Sequence, residues 1–94
     1  MKASSLIHTA KAAIDVLELA SRHADNRWEW WQINRLASEI ISGLRQIEQN
    51  EEAVPSLRKE AREDADSLRA IQAVSCAKVE EFDRQPPIVS GGLL

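Results

Sequence analysis

Small and apolar residues recur early in the chain at alternating spacings of three and four, which is the period of one face of an α-helix. The positions are Ile7, Ala10, Ile14, Leu17, Ser21 and Ala24. Ser4 or Ser5 precedes them, where a serine oxygen accepts hydrogen bonds from the free amides of a first turn. The pattern predicts a first helix over residues 5–24.

A second apolar face lies roughly opposite the first on the same predicted helix. It consists of Ala12, Val16 and Leu19, placed by a turn of about 100° per residue. A helix on the surface of a monomer has only one apolar stripe to bury. We therefore expect this helix to be covered on two sides, either by two other helices or by a second subunit.

The second predicted helix follows a break in the pattern at residues 23–26. Asn26 and Glu29 have the spacing of a capping box, in which both side chains accept hydrogen bonds from amides of the first turn. Apolar positions then return with helical spacing at Trp30, Ile33, Ala37, Ile40, Leu44 and Ile47, and they predict a helix over residues 27–49. Gly43 either permits a close helix crossing or is a tolerated surface glycine.

The third predicted helix spans residues 56–83 and follows Pro55, which suits a first helical turn because its missing N–H is not needed there. Its apolar stripe consists of Leu57, Ala61, Ala65, Leu68, Ile71, Val79 and Phe82. Asp64 and Ser75 fall on this stripe, and a buried carboxylate needs a partner. We expect Asp64 to lie at the edge of the stripe, or else to meet an arginine across an interface, with Arg35 and Arg45 as candidates.

Residues 85–94 contain two adjacent prolines, two adjacent glycines and no charge, so they predict an extended, flexible tail. Residues 1–84 have the length of one small domain. Short connections make successive helices antiparallel neighbours, so the predicted fold is an all-α, up-down-up three-helix bundle. The alternative is a long hairpin of the second and third helices with the N-terminal helix packed across it or onto a second subunit.

The charged residues weigh against direct nucleic-acid binding, because 12 Lys and Arg are scattered among 15 Asp and Glu to give a net charge of −3. No apolar run has the length of a signal peptide core or a membrane span. The single cysteine, Cys76, cannot form an intramolecular disulfide. These features lead us to expect a cytoplasmic protein that does not enter a membrane.

Candidate catalytic and metal-binding groups are few. His8 and His23 lie roughly 22 Å apart along the first helix and cannot share one ion within it. Cys76 is expected to be a packed structural thiol in the third helix, away from a helix N-terminus that would activate it. The chain has no glycine-rich phosphate loop, zinc signature, kinase motif or hydrolase motif. We therefore predict no enzyme activity, no cofactor and no metal.

All three tryptophans lie within four consecutive positions. On a helical wheel Trp30 belongs to the core stripe, whereas Trp31 and Trp28 lie about 100° and 160° away from it. Either the rest of the monomer covers these two rings, or they form a contact surface with Arg27 and Arg35. Tryptophan and arginine are enriched at interface hot spots. A third interpretation is an aromatic pocket that stacks a flat ligand beside an arginine.

These patterns predict a non-enzymatic helical protein–protein interaction module: an adaptor, chaperone or inhibitor that occupies a partner's surface. Small proteins of this build are common among bacterial and phage regulators, which is an association by class only. We expect Arg27, Trp28, Trp31 and Arg35 to bind the partner, and the chain to self-associate, most simply as a two-fold homodimer. The alternative is an oligomer that binds a small, nucleotide-like ligand in a pocket lined by Trp and Arg.

Overall fold

The computed structural model describes residues 2–84, which form three α-helices joined by short connections. Helix α1 spans Ala3–His23, α2 spans Arg27–Gln49 and α3 spans Pro55–Arg84. The predicted all-α class and the three-helix bundle are confirmed, and each helix end lies within two residues of its predicted position. The predicted tail over residues 85–94 lies outside the described residues.

Side-chain contacts near the helix ends establish the relative direction of α2 and α3. Arg27 at the start of α2 pairs with Asp83 at the end of α3, and Glu48 at the end of α2 pairs with Arg62 early in α3. These two pairs make α2 and α3 antiparallel. Their contact is the most extensive in the fold, and α1 packs less extensively against both. The bundle therefore contains the predicted long hairpin, with α1 laid along it.

The start of α2 uses the predicted cap. The Asn26 side-chain oxygen accepts a hydrogen bond from the backbone N–H of Glu29 at 2.9 Å. The Glu29 carboxylate reaches back to the backbone N–H of Asp25 and to the Asn26 side-chain amide. Helix α1 differs from prediction, because it begins at Ala3 with Lys2 in the cap position and no side-chain cap hydrogen bond. Ser4 and Ser5 thus lie within the helix, and the predicted serine cap is wrong.

The core is formed by one stripe from each helix, as their spacing predicted. Its buried apolar members are Ile7, Ala10, Leu17, Trp30, Ile33, Ala37, Ile41, Leu44, Ile47, Ala61, Ala65 and Leu68. Half-buried residues at its margin include Leu57, Ile71, Val79 and Phe82 on α3. Many of the α3 core residues are alanines, which lets the neighbouring helices approach closely.

Two polar residues of the α3 stripe are buried with the core. Ser75 is fully buried, and its hydroxyl donates to the carbonyl of Gln72 at 2.9 Å. Asp64 is only 6% exposed, so its predicted place at the edge of the stripe is wrong. Within one chain its partner is Lys11 of α1, at 3.1 Å, and neither Arg35 nor Arg45. Asp64 faces α1, whereas those arginines belong to α2.

Gly43 permits a close approach of α1 to α2. A Cβ atom at this position would lie 3.1 Å from a terminal methyl carbon of Leu6, closer than an ordinary van der Waals contact. Of the two interpretations of this glycine, the structure supports the close crossing. Cys76 is exposed, so its predicted packing in the core is wrong. The turn of about 100° from buried Ser75 carries it outward.

Candidate protein-interaction surface

Helical geometry separates the three tryptophans in the way the wheel predicted. Trp30 is 6% exposed and belongs to the core. Its ring centre lies 6.0 Å from the Lys78 ammonium, a cation–π distance. Trp28 and Trp31 are 65% and 43% exposed on the outer side of α2. The described part of the monomer therefore leaves Trp28 mostly uncovered and Trp31 partly uncovered.

Trp28 borders an apolar groove of about 400 Å³ between the second half of α1 and the first half of α2. Val16, Ala20 and Ala24 line it from α1, and Ile33 and Leu36 line it from α2. Leu17 and His23 also line the α1 wall, and the small side chains of Ala20 and Ala24 leave space between the two helices.

Exposed aliphatic side chains extend this groove into a larger surface. Val16 is 63% exposed, and Leu19, one turn further along α1, is 55% exposed. Both belong to the second apolar face of α1, so the expectation that two helices of the monomer cover this face is wrong for residues 2–84. We call the exposed set the α1–α2 apolar surface: Val16, Leu19, Trp28, Trp31 and Leu36.

Arg27 does not face the groove. Its guanidinium Nε donates to Asp83 Oδ1 at 2.6 Å and its Nη2 donates to Oδ2 at 3.4 Å, which ties the start of α2 to the end of α3. The hydrogen bond to Asp83 raises the pKa of Arg27, and the same bond lowers the pKa of Asp83. The guanidinium predicted to bind a partner is thus already engaged inside the monomer.

Arg35 lies on the outer face of α2, between the turns that carry Trp31 and Glu39. Its guanidinium is 3.3 Å from the Glu39 carboxylate, in the (i, i+4) arrangement common on exposed helices. Such an exposed pair contributes about 0.3–0.5 kcal/mol, so it is readily exchanged for a contact with another molecule. The Arg35 position is compatible with a role beside Trp31.

Helical spacing predicts only part of the α1–α2 apolar surface. Leu36 is not part of the predicted α2 core stripe, and it is 42% exposed at the rim of the groove. Val16 and Leu19 were recognised as a second face, but their alignment with Trp28 depends on how α1 lies against α2. Helical spacing alone does not give that angle.

Neither of the two larger grooves in residues 2–84 is lined by both tryptophan and arginine, so the Trp/Arg-lined pocket of the small-ligand alternative would have to form between subunits. The groove beside Trp28 has His23, Glu29 and Gln32 as its polar lining and no arginine. A separate groove between α2 and α3 contains Arg45 and Arg69 but no tryptophan.

Within residues 2–84, none of the helices combines the length and the apolar character that a membrane crossing requires. Comparison of the chain with protein-family models, with curated proteins and with solved structures found no match.

Proposed function

We propose that this protein is a non-enzymatic helical protein–protein interaction module that acts through the α1–α2 apolar surface. The observation that carries the proposal is the exposure of Val16, Trp28 and Leu36 around one groove, with Leu19 exposed one turn from Val16 on α1. Contiguous exposed apolar surface with an aromatic at its centre is typical of protein-binding sites.

Burial of these side chains in an interface would supply favourable binding free energy. Full burial of a large apolar side chain is favourable by about 1.5–3 kcal/mol, and Trp28 presents more apolar area than any other exposed residue. Association costs translational and rotational entropy. The burial of a few well-packed side chains must therefore contribute more favourable free energy than this cost. A partner that fills the groove and covers Trp28 meets this requirement.

A second copy of the chain is the first partner we propose. The second apolar face of α1 is exposed in the monomer. A two-fold dimer would bury this face on both copies at once. Trp28 projects beside a groove on the same surface, so each copy offers both a protruding ring and a recess. An adaptor or inhibitor role toward another protein would use the same residues.

Light scattering over a range of concentrations tests the proposal. We expect a mass of twice the 10.5 kDa chain, and a shift to the monomer for the pair Val16→Ser with Leu36→Ser. The matched control is Val54→Ser with Val74→Ser, which removes two equally exposed valines outside the surface. Circular dichroism should show unchanged helicity in both pairs, because all four side chains are exposed.

The variant Trp28→Ala tests the α2 side of the groove separately. We expect it to weaken self-association at least tenfold, since interface tryptophans commonly contribute 2 kcal/mol or more, roughly. A wild-type protein that stays monomeric to about 1 mM would refute self-association. Equal dissociation of the control pair would show that the α1–α2 apolar surface is not the interface.

A further inference from the structure

A polar groove of about 460 Å³ lies between α2 and α3, apart from the α1–α2 apolar surface. Its lining contains the guanidinium groups of Arg45 and Arg69, and the side-chain amides of Gln46, Gln49 and Gln72. Two serine hydroxyls complete the polar lining, and Ile41 is its single apolar residue. None of the lining residues is acidic, and the arginine, glutamine and serine side chains of the groove carry many hydrogen-bond donors.

Hydrogen bonds between the two helices hold one wall of this groove in place. The Gln72 amide donates to the Ser38 hydroxyl at 2.5 Å, and that hydroxyl donates to the backbone carbonyl of Asn34 at 2.9 Å. The Asn34 amide in turn donates to the backbone carbonyl of Gln72 at 3.3 Å. The wall is thus ordered before any ligand arrives, which reduces the entropy cost of binding.

The two arginines retain donors for a ligand. Arg69 Nη1 donates to Asp66 at 2.8 Å, which orients the guanidinium and leaves its other N–H groups available. Arg45 forms no salt bridge with any carboxylate in residues 2–84. The groove therefore holds one arginine without a carboxylate partner in residues 2–84, and a second arginine that is paired but keeps further N–H donors.

We propose that the α2–α3 polar groove binds the oxyanion group of a small molecule, either a phosphate or a carboxylate. Guanidinium groups recognise both through paired, charge-assisted hydrogen bonds. Hydroxyl and amide side chains around them suit the polar remainder of such a ligand. This site does not depend on the proposed function, because it shares no residue with the α1–α2 apolar surface.

Nuclear magnetic resonance titration at constant ionic strength tests the site, with inorganic phosphate in one arm and citrate in the other. We expect saturable shifts of the Arg45 and Arg69 side-chain N–H signals in at least one arm. The arm that saturates at lower concentration identifies the preferred oxyanion. The variant Arg45→Gln with Arg69→Gln should weaken that binding at least tenfold, since it removes the charge-assisted bonds.

The control variant is Arg22→Gln with Lys59→Gln, which makes the same change in net charge at exposed positions outside the groove. It should leave the affinity unchanged within about twofold. Loss of binding equal to that of the groove variant would mean that overall charge attracts the anion, and the site would be rejected. The absence of saturation by both ligands to about 50 mM would also reject it.

Discussion

At the scale of single residues, the ion pair of Lys11 and Asp64 joins a half-exposed ammonium group to a buried carboxylate. The Asp64 carboxylate is buried, and its Oδ2 atom has no hydrogen-bond partner in residues 2–84. The Lys11 side chain is half exposed and supplies the one charged contact, at 3.1 Å. A buried charge is costly without its partner, whereas an exposed ammonium is well solvated. Removal of Lys11 alone should therefore lower the free energy of unfolding more than removal of Lys11 and Asp64 together.

We predict that Lys11→Met lowers the free energy of unfolding by about 1–3 kcal/mol, discounted from a fully buried pair because Lys11 is half exposed. Adding Asp64→Leu should recover most of that loss, since no buried charge then remains. Urea denaturation of the single and double variants measures both effects. Lys59→Met is the control for removing an exposed lysine from a helix. Full stability of Lys11→Met would mean that Asp64 does not depend on this partner.

The same hydrogen bond raises the pKa of Lys11 above 10.5. A raised pKa in the folded state means that the contribution of the pair is fully present below pH 10.5 and is lost as the pH rises through the raised pKa. The alkaline limb of the stability profile should therefore become shallower in Lys11→Met.

Asp83 provides a residue-scale test on the acid side. The hydrogen bond from Arg27 is the largest cause that holds the pKa of Asp83 below 3.8. The stabilising effect of this carboxylate is present above pH 3.8 and is lost as the pH falls through the lowered pKa. We predict that Arg27→Gln returns the pKa of Asp83 toward 3.8, measured by carboxyl-carbon resonances. Arg84→Gln is the control, and an equal rise there would show that general charge, not the hydrogen bond, sets the value.

The residue scale also shows which features periodicity can predict. The separation of Trp30 from Trp28 and Trp31 follows from a turn of about 100° per residue, so the sequence was sufficient. The partner of Asp64 and the engagement of Arg27 with Asp83 depend on the rotation of one helix relative to another. That rotation results from the packing of many side chains at once, and spacing along one helix does not contain it.

At the scale of elements, Gly43 sets the distance between α1 and α2. Glycine within a helix costs up to about 1 kcal/mol relative to alanine. The added methyl would meet only the end of the flexible, half-buried Leu6 side chain at 3.1 Å. We predict that Gly43→Ala raises the free energy of unfolding by about 0.5 kcal/mol, because Leu6 can shift by a few tenths of an ångström.

Gly43→Leu should lower stability by about 1–3 kcal/mol, since the larger side chain separates α1 from α2. Chemical denaturation compares both variants in the wild-type and Leu6→Ala backgrounds. In the Leu6→Ala background, Gly43→Ala should raise the free energy of unfolding by the full difference in helix propensity between glycine and alanine. A destabilised Gly43→Ala protein in which Leu6→Ala restores nothing would show that the glycine has another role.

Helix boundaries were predicted where the chain carries local signals. Asn26 and Pro55 determine the starts of α2 and α3 through a cap hydrogen bond and the fixed backbone angle of proline, which are properties of a few adjacent residues. The start of α1 has no such determinant, because Lys2 occupies the cap position without a side-chain bond. Local signals also could not predict whether the second apolar face of α1 is buried, since that depends on how α2 and α3 lie relative to α1.

At the scale of the whole molecule, α2 separates two surfaces of different chemistry. Its α1 side borders an apolar groove, and its α3 side borders a groove lined by arginines and amides. The extensive α2–α3 contact makes the hairpin the stable body of the fold, whereas α1 is held by one stripe. Self-association through α1 should therefore stabilise α1, which packs least extensively in the monomer.

This coupling predicts that thermal stability depends on protein concentration. A partner that binds only the folded state raises stability by mass action, so a dimer melts at a higher temperature in more concentrated solution. For a chain of this size we expect an increase of about 3–6 °C for each tenfold rise in concentration. Differential scanning calorimetry over two decades of concentration measures the slope.

Two leucines on α1 separate dimer contacts from core contacts in this measurement. Leu19→Ser removes an exposed side chain, so the midpoint at low concentration should stay near the wild-type value while the concentration dependence disappears. Leu17→Ser removes a core side chain, so the midpoint should fall at every concentration. If Leu19→Ser keeps the wild-type slope, α1 contributes nothing to an interface. The exposed face of α1 would then be excluded as the site of self-association.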